Sequence, residues 1–311
     1  MTDPNTAHEA RGQRDAELAV LPTRANPAHV AYSCDNCGHW QRWFAASPPP
    51  LCPVCADVRN ELPRDGFTFR TAAEVDRLVS TSWREAVPGV TEFYSDPDIG
   101  LGSRGWVLET DSGLLGFEAT GWYSRESLAE LRRRGGFSAL ASSHVHGFGA
   151  LWQLQDELDP PVLAIGVEDL PWTKAFRVTY PSDETLLLAK DITLHRTGGH
   201  FPGHSVLHDA GRGLLFCGDS LKIDLNPDGS ARALSAHKAF HAQIPLSRGE
   251  LNHMREIVGA LSFDTVFSPF EFASGVTTAH VVALIDHMLS RPPSASPVPM
   301  DELRPATAVI A

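Results

Sequence analysis

Four of the chain's five cysteines fall in two close pairs, Cys34-Asp-Asn-Cys37 and Cys52-Pro-Val-Cys55, separated by fourteen residues. No other feature constrains the local fold so tightly. Each C-x-x-C turn can present two thiolates on one side, and two such turns facing one another make a tetrahedral four-sulfur site. The surrounding segment, residues 29–66, carries three successive prolines (Pro48, Pro49, Pro50) and little helical periodicity. So short a stretch cannot bury enough apolar surface to hold itself together, and a metal staple explains it better than four idle thiols. Zinc and iron both suit four thiolates: zinc would act as a structural staple, iron as an electron carrier. His39 is then expected to be a neighbour of the cluster and not a ligand, because four sulfurs complete the shell.

The 311 residues leave room for about two domains. Lys and Arg number 26 against 38 Asp and Glu, a net charge of −12, which argues against nucleic acid or an anionic membrane as partner. No apolar run approaches the ~20 residues that span a bilayer. The first residues lack the basic and apolar parts of an export signal, so a cytoplasmic location is expected, and there paired cysteines read as metal ligands before disulfides. Residues 1–28 and 291–311 are polar or proline-rich and are expected to be disordered tails. The remainder divides into the four-cysteine module (29–66) and a larger domain (67–290).

In the larger domain, Thr71-Ala-Ala-Glu74 is a capping box, and Val75, Leu78, Val79 and Trp83 share one face of the helix it predicts. Two strand-like runs, 105–109 and 113–118, are joined by a turn and followed by a helix over 124–134. Further strands are expected at 137–142, 162–167, 185–189, 192–195, 205–208, 214–217 and 265–268, with helices opening at the capping box Ser247-Arg-Gly-Glu250 and at Thr278.

Chemistry-bearing residues stand at the ends of these runs. Ser143-His144-Val145-His146 follows an apolar strand, and alternate residues of an extended chain point the same way, so both histidines can face one ion. Thr197-Gly-Gly-His200-Phe-Pro-Gly-His204 is a glycine-rich loop able to aim a histidine inward. Asp219 lies just past the strand ending at Cys217.

Together and in this order these motifs resemble the metallo-β-lactamase fold superfamily, over roughly residues 88–290. The resemblance implies an α/β fold, an αββα sandwich with the metal site at one edge of two packed sheets. It implies His144, His146 and His200 as the ligands of a first metal, and Asp219 as the carboxylate that bridges two metals. The cysteine segment resembles the rubredoxin-like module of rubrerythrins, so a small rubredoxin-like or zinc-ribbon knuckle is expected in front of the sandwich.

The sequence departs from the superfamily at its second metal site. H-x-H-x-D-H reads here His144-Val-His146-Gly-Phe148-Gly149, and the late P-G-H motif falls at Ser268-Pro269-Phe270. One zinc or iron in the sandwich, not two, is therefore expected, with Asp219 as its fourth ligand or as partner to a bound water. His204, His208, His237, His241 and Glu271 are the candidates from which a second site would have to be rebuilt. Cys217 is read as a small buried hydrophobe.

The resemblance and the retained ligands lead to a metal-dependent hydrolase as the expected function. A metal-activated water would act on an ester, thioester, lactone or amide, with Asp219 and then His204 as candidate acid–base residues. The expected partner is a small-molecule substrate; a homo-oligomer is left open. Two other readings stand beside it: an iron redox protein or oxygenase fed by the cysteine module, and a non-catalytic metal-bound scaffold.

Overall fold

The computed structural model describes residues 28–57, 63, 65–236, 246–294 and 296–303. Strands apolar at nearly every position are buried on both faces, and β9 (Val162–Gly166) shows how. Its Val162 and Ala164 enter a core between two sheets, while Leu163 and Ile165 enter a second core under helices. β7 (Gly113–Phe117) divides in the same way, with Leu115 and Phe117 on one side and Leu114 on the other.

The first sheet has seven strands in the order β10-β9-β8-β7-β6-β5-β4. It is built from β4 (Ser80–Val87), β5 (Val90–Asp96), β6 (Gly105–Thr110), β7, β8 (Phe137–Ala141), β9 and β10 (Tyr180–Ser182). β4 to β7 run antiparallel, and β7 to β10 run parallel. The parallel connections carry α2 (Arg125–Arg133) and α3 (Leu151–Leu158), whose Leu128, Leu131, Leu151 and Leu154 cover the outer face. The second sheet has six strands in the order β11-β12-β13-β14-β17-β18. These are β11 (Thr185–Ala189), β12 (Ile192–Arg196), β13 (Ser205–Asp209), β14 (Leu214–Phe216), β17 (Thr265–Phe267) and β18 (Phe272–Ser274). Outside them, α4 (Arg248–Gly259) and α5 (Thr278–Ser290) bury Leu251, Met254, Val258, Val281, Leu284 and Ile285. Trp106, Leu108, Phe117, Leu207, Phe216 and Phe267 fill the space between the sheets. The architecture is the expected αββα sandwich.

The cysteine module is a three-stranded sheet of β1 (His29–Cys34), β2 (Trp40–Phe44) and β3 (Phe69–Thr71), in the order β2-β1-β3. β3 lies beyond residue 66, so the module's sheet draws on a segment that the sequence reading assigned to the larger domain. The module also shares a core with the sandwich. Trp40 is buried against Trp122 and Trp152, with ring centroids 5.8 and 5.3 Å away, and its indole N–H donates to the Gly121 carbonyl at 3.0 Å.

Two expectations need correction. The helix opened by Thr71 does not continue to Trp83: α1 (Ala72–Leu78) ends where the Val79 amide bonds Val75, and β4 begins at Ser80. Ser80 to Val87 pair along β5, and Thr81 Oγ1 donates to the Trp122 carbonyl at 2.8 Å, so ladder bonds displace the helix-period reading. Nor is the stretch after Ser290 unstructured throughout. β19 (Val298–Pro299) pairs with β16 (Ala231–Ser235), which also pairs with β15 (Lys222–Leu225), and Leu303 is buried. Residues 1–27 and 304–311 lie outside the described residues. Among the described residues no helix is long and apolar enough to cross a membrane.

Candidate metal centres

The two C-x-x-C turns meet as their spacing implied. Cys34 Sγ lies 3.8 Å from Cys55 Sγ, and Cys37 Sγ lies 3.6 Å from Cys52 Sγ. A tetrahedron of sulfurs about 2.3 Å from a central metal has edges of about 3.8 Å, so the side chains stand at ligating distance. Cys34, Cys52 and Cys55 are buried. Hydrogen bonds from its neighbours, Cys37 first, hold the Cys34 thiol far below its usual range, while contact with Cys34 and burial push Cys37 up. Four thiolates packed this closely repel one another, and a divalent cation is what lets all four ionise together. The Asn36 amide donates to Cys55 Sγ at 3.2 Å.

The second group gathers at one edge of the sandwich, where parallel strands end. β8 ends at Ala141 and delivers His144 and His146 through a single turn of 3-10 helix. β14 ends at Phe216 and delivers Asp219. The loop from β12 to β13 supplies His200. It closes on itself where the Thr197 and Gly198 amides both donate to the His204 carbonyl at 2.9 Å, and Gly198 and Gly199 take the positive φ angles (59° and 88°) that its turn requires. The Ser205 amide bonds the Ser143 carbonyl at 2.8 Å, which ties the two sheets' loops together.

Around Asp219 Oδ2 stand His144 Nε2 at 3.3 Å, His146 Nδ1 at 3.3 Å and His200 Nε2 at 3.6 Å. Ligands about 2.0–2.1 Å from a metal in tetrahedral array are about 3.3 Å apart, so three imidazoles and one carboxylate fit a single ion. Burial, then the neighbouring His144, holds His200 well below its usual pKa, and the imidazole stays in the neutral form that ligates metals. His144, His200 and Asp219 are almost fully covered, whereas 9% of the His146 side chain is exposed, so access is from the His146 side.

One residue of this centre was not singled out from the sequence. Glu118 directly follows β7, is buried, and sits in the left-handed region at φ 62°. Its Oε1 accepts the Ser143 hydroxyl proton, and Ser143 Oγ lies 2.8 Å from His144 Nδ1. This chain puts the imidazole proton on Nδ1 and leaves Nε2 bare toward Asp219. Burial pushes the Glu118 carboxyl up to about 8, against the pull of the Ser143 hydroxyl. Its sequence signal was position alone, an acid at a strand end. A non-glycine residue held at positive φ beside a polar cluster is a feature of functional sites, but that angle is not written in the sequence.

His204 is fully buried, and its Nδ1 lies 2.9 Å from Thr197 Oγ1. Its ring stands 5.2 Å from that of His144 and outside the four-ligand group, where it braces the loop. The positions of a second metal are occupied differently. Phe148 is core, edge-on to Phe176 at 5.2 Å. Gly149 is wedged so closely that an added Cβ would lie 2.1 Å from the Ala119 carbonyl oxygen. Phe270 carries the Lys222 ammonium 5.7 Å above its ring. His208 Nε2 is 2.9 Å from the Ser262 carbonyl, and Glu271 accepts the Ile223 amide at 3.0 Å. His237 and His241 lie outside the described residues. Cys217 is buried with its sulfur 3.4 Å from the Gly218 carbonyl. Among the described residues only the two groups above bring three or more ligands together. Trp122, Tyr123 and Trp152 line a groove of about 530 Å³ beside α1 and α3, and Trp172 packs edge-on against Phe201 at 5.5 Å, next to His200.

Parts of the chain are similar to known proteins. A profile described as the metallo-beta-lactamase superfamily matches residues 127–261. The chain is 22% identical over 247 residues to uncharacterized protein YmaE of Bacillus subtilis (strain 168), covering 77% of this chain and 88% of YmaE. Among solved structures it is similar to VMB-1, with a TM-score of 0.50 and 12% identity over 68% of this chain and 95% of that one. It is also similar to a fragment of a putative diflavin flavoprotein from Nostoc sp. PCC 7120, with a TM-score of 0.49 and 10% identity over the same shares of the two chains.

Proposed function

We propose that this chain, which has the metallo-β-lactamase fold, is a metal-dependent hydrolase with a single metal in its sandwich, acting on a small ester, thioester, lactone or amide. The observation that carries the reading is the convergence of three imidazole nitrogens at 3.3–3.6 Å on Asp219 Oδ2, at a sheet edge reached past His146. A zinc or iron ion held by His144, His146 and His200, with Asp219 beside its remaining position, would polarise a carbonyl and supply hydroxide at neutral pH. The protein's part is positional. The Glu118–Ser143–His144 chain holds one imidazole in its ligating tautomer, and the Thr197–His204 closure holds the loop bearing His200. Asp219 is the carboxylate at the centre of the cluster. We assign it the task of orienting the attacking water and taking its proton. His204 acts through the loop and not on the substrate.

The test is a metal count alongside hydrolysis of a panel of esters, thioesters and lactones by the purified full chain. Two metals per chain are expected, falling to one in His144→Ala, which should also lose turnover. Undiminished hydrolysis by His144→Ala with its sandwich metal gone would refute the reading. A redox role has one observation in its favour: the cysteine cluster lies against the sandwich, with Cys37 and His146 lining one small cavity. Protein grown with iron would then be red and bleach on reduction, and a colourless, zinc-filled protein would rule this role out.

A further inference from the structure

His39 directly follows the first cysteine turn, and its carbonyl accepts the Cys34 amide at 2.9 Å. It is 4% exposed, and among the described residues neither of its ring nitrogens finds a hydrogen-bond partner. A buried imidazole left so is costly, and in a native fold such a group calls for a bound water or ion. The ring borders a cavity of about 10 Å³ whose polar lining also includes Cys37, Ser103 and His146. That is room for about one water molecule. Ser103 already donates its hydroxyl to the Ala119 carbonyl at 3.2 Å, so its oxygen remains able to accept. The turn cannot drift from this place. A Cβ on Gly100 would meet the Gly38 nitrogen at 2.0 Å, and one on Gly121 would meet Ile99 Cβ at 2.7 Å.

We propose that this cavity binds one water molecule bridging His39 to His146, making His39 a positioning residue through which the cysteine module orients a ligand of the histidine centre. A neutral imidazole offers one donor and one acceptor, and a water can satisfy both kinds of group. Because the Cys34–Cys37 turn carries His39 and is held in place by its glycine contacts, the fold of the cysteine module fixes where this water sits beside His146. The inference rests on the histidine cluster holding a metal but not on hydrolysis. An inactive protein that still binds metal would defeat the proposed activity and leave this proposal standing.

The test titrates cobalt(II) into the metal-free full chain. Thiolate-to-cobalt absorption reports the cysteine cluster, and the visible bands of a nitrogen–oxygen site report the histidine centre. His39→Phe is expected to weaken cobalt binding at the histidine centre about tenfold, the lower range for loss of an outer-shell partner, and to shift its visible bands. Binding at the cysteine cluster should change less than twofold. His39→Gln, which restores polar atoms, should recover most of the loss. Unchanged affinity and bands in His39→Phe would overturn the proposal, as would equal losses in both variants. A high-resolution crystal structure of the unmodified protein gives a reading that needs no variant. Density for a water within hydrogen-bond distance of both rings supports the bridge, and a dry cavity refutes it.

Discussion

Gly149 stands where a second-metal histidine would be, and its surroundings explain why no side chain is found there. Its φ is +38°, and an added Cβ would lie 2.1 Å from the Ala119 carbonyl oxygen and 2.6 Å from that of Thr120. Neither carbonyl is free to retreat: the Ala119 amide bonds Gly147, and the Thr120 carbonyl accepts the Ala150 amide at 2.9 Å. Gly149→Ala therefore incurs two costs. A non-glycine residue in the left-handed region costs about 1–2 kcal/mol, and overpacking against fixed backbone costs about 1–3 kcal/mol. Their sum is about 2–5 kcal/mol, a fall in melting temperature of about 3–8 °C for a chain of this size. Gly229→Ala is the control, with φ +84° and nothing within 4 Å of the added Cβ, so it carries the conformational cost alone. Urea unfolding of both variants, with metal bound, separates the two terms. If Gly149→Ala is no less stable than Gly229→Ala, the clash is not real and the account of the missing second site fails. The same reasoning predicts that restoring the motif with Phe148→Asp and Gly149→His together gives an unstable protein and not one with a second sandwich metal, which elemental analysis would check.

Three further outcomes are expected. Ser143→Ala should break the link between Glu118 and His144 and weaken metal binding at the histidine centre by about 10–100-fold, read by competition with a chelating dye; an affinity unchanged within twofold would show that the link is idle. Trp40→Ala should destabilise the chain by about 3–5 kcal/mol, because it empties the contact with Trp122 and Trp152 and removes the bond to Gly121; a loss under about 1 kcal/mol in denaturant unfolding would mean the module is not part of that core. Burial, then the nearby His208, lowers His195 to about 4 from 6.5. The fold thus favours the neutral ring, and this stability is complete above pH 6.5 and lost as pH falls toward 4. The full difference would be worth about 3 kcal/mol, which partial exposure to solvent cuts to about 1 kcal/mol. His195→Gln should flatten the pH dependence of stability by that amount in metal-free protein, and an unaltered slope between pH 6.5 and 4 would contradict it.

Much of this protein is legible from local pattern, for a physical reason. The two C-x-x-C turns, the capping boxes at Thr71 and Ser247, and the double-buried strands such as 162–166 depend on residues near one another in the chain. Spacing therefore carries their information. The four residues of the histidine centre could be named because each follows an apolar strand or sits in a glycine-rich loop, and because their order resembles a known superfamily. Tertiary structure decided the rest. Whether residues 80–83 continue a helix or join a sheet depended on β5, and whether Val298 is tail or strand depended on β16. Glu118, Gly149 and His39 matter through what folding places against them: the Ser143 hydroxyl, two backbone carbonyls, and a water-sized hollow beside His146. Such contacts join residues far apart in sequence, and no local period records them.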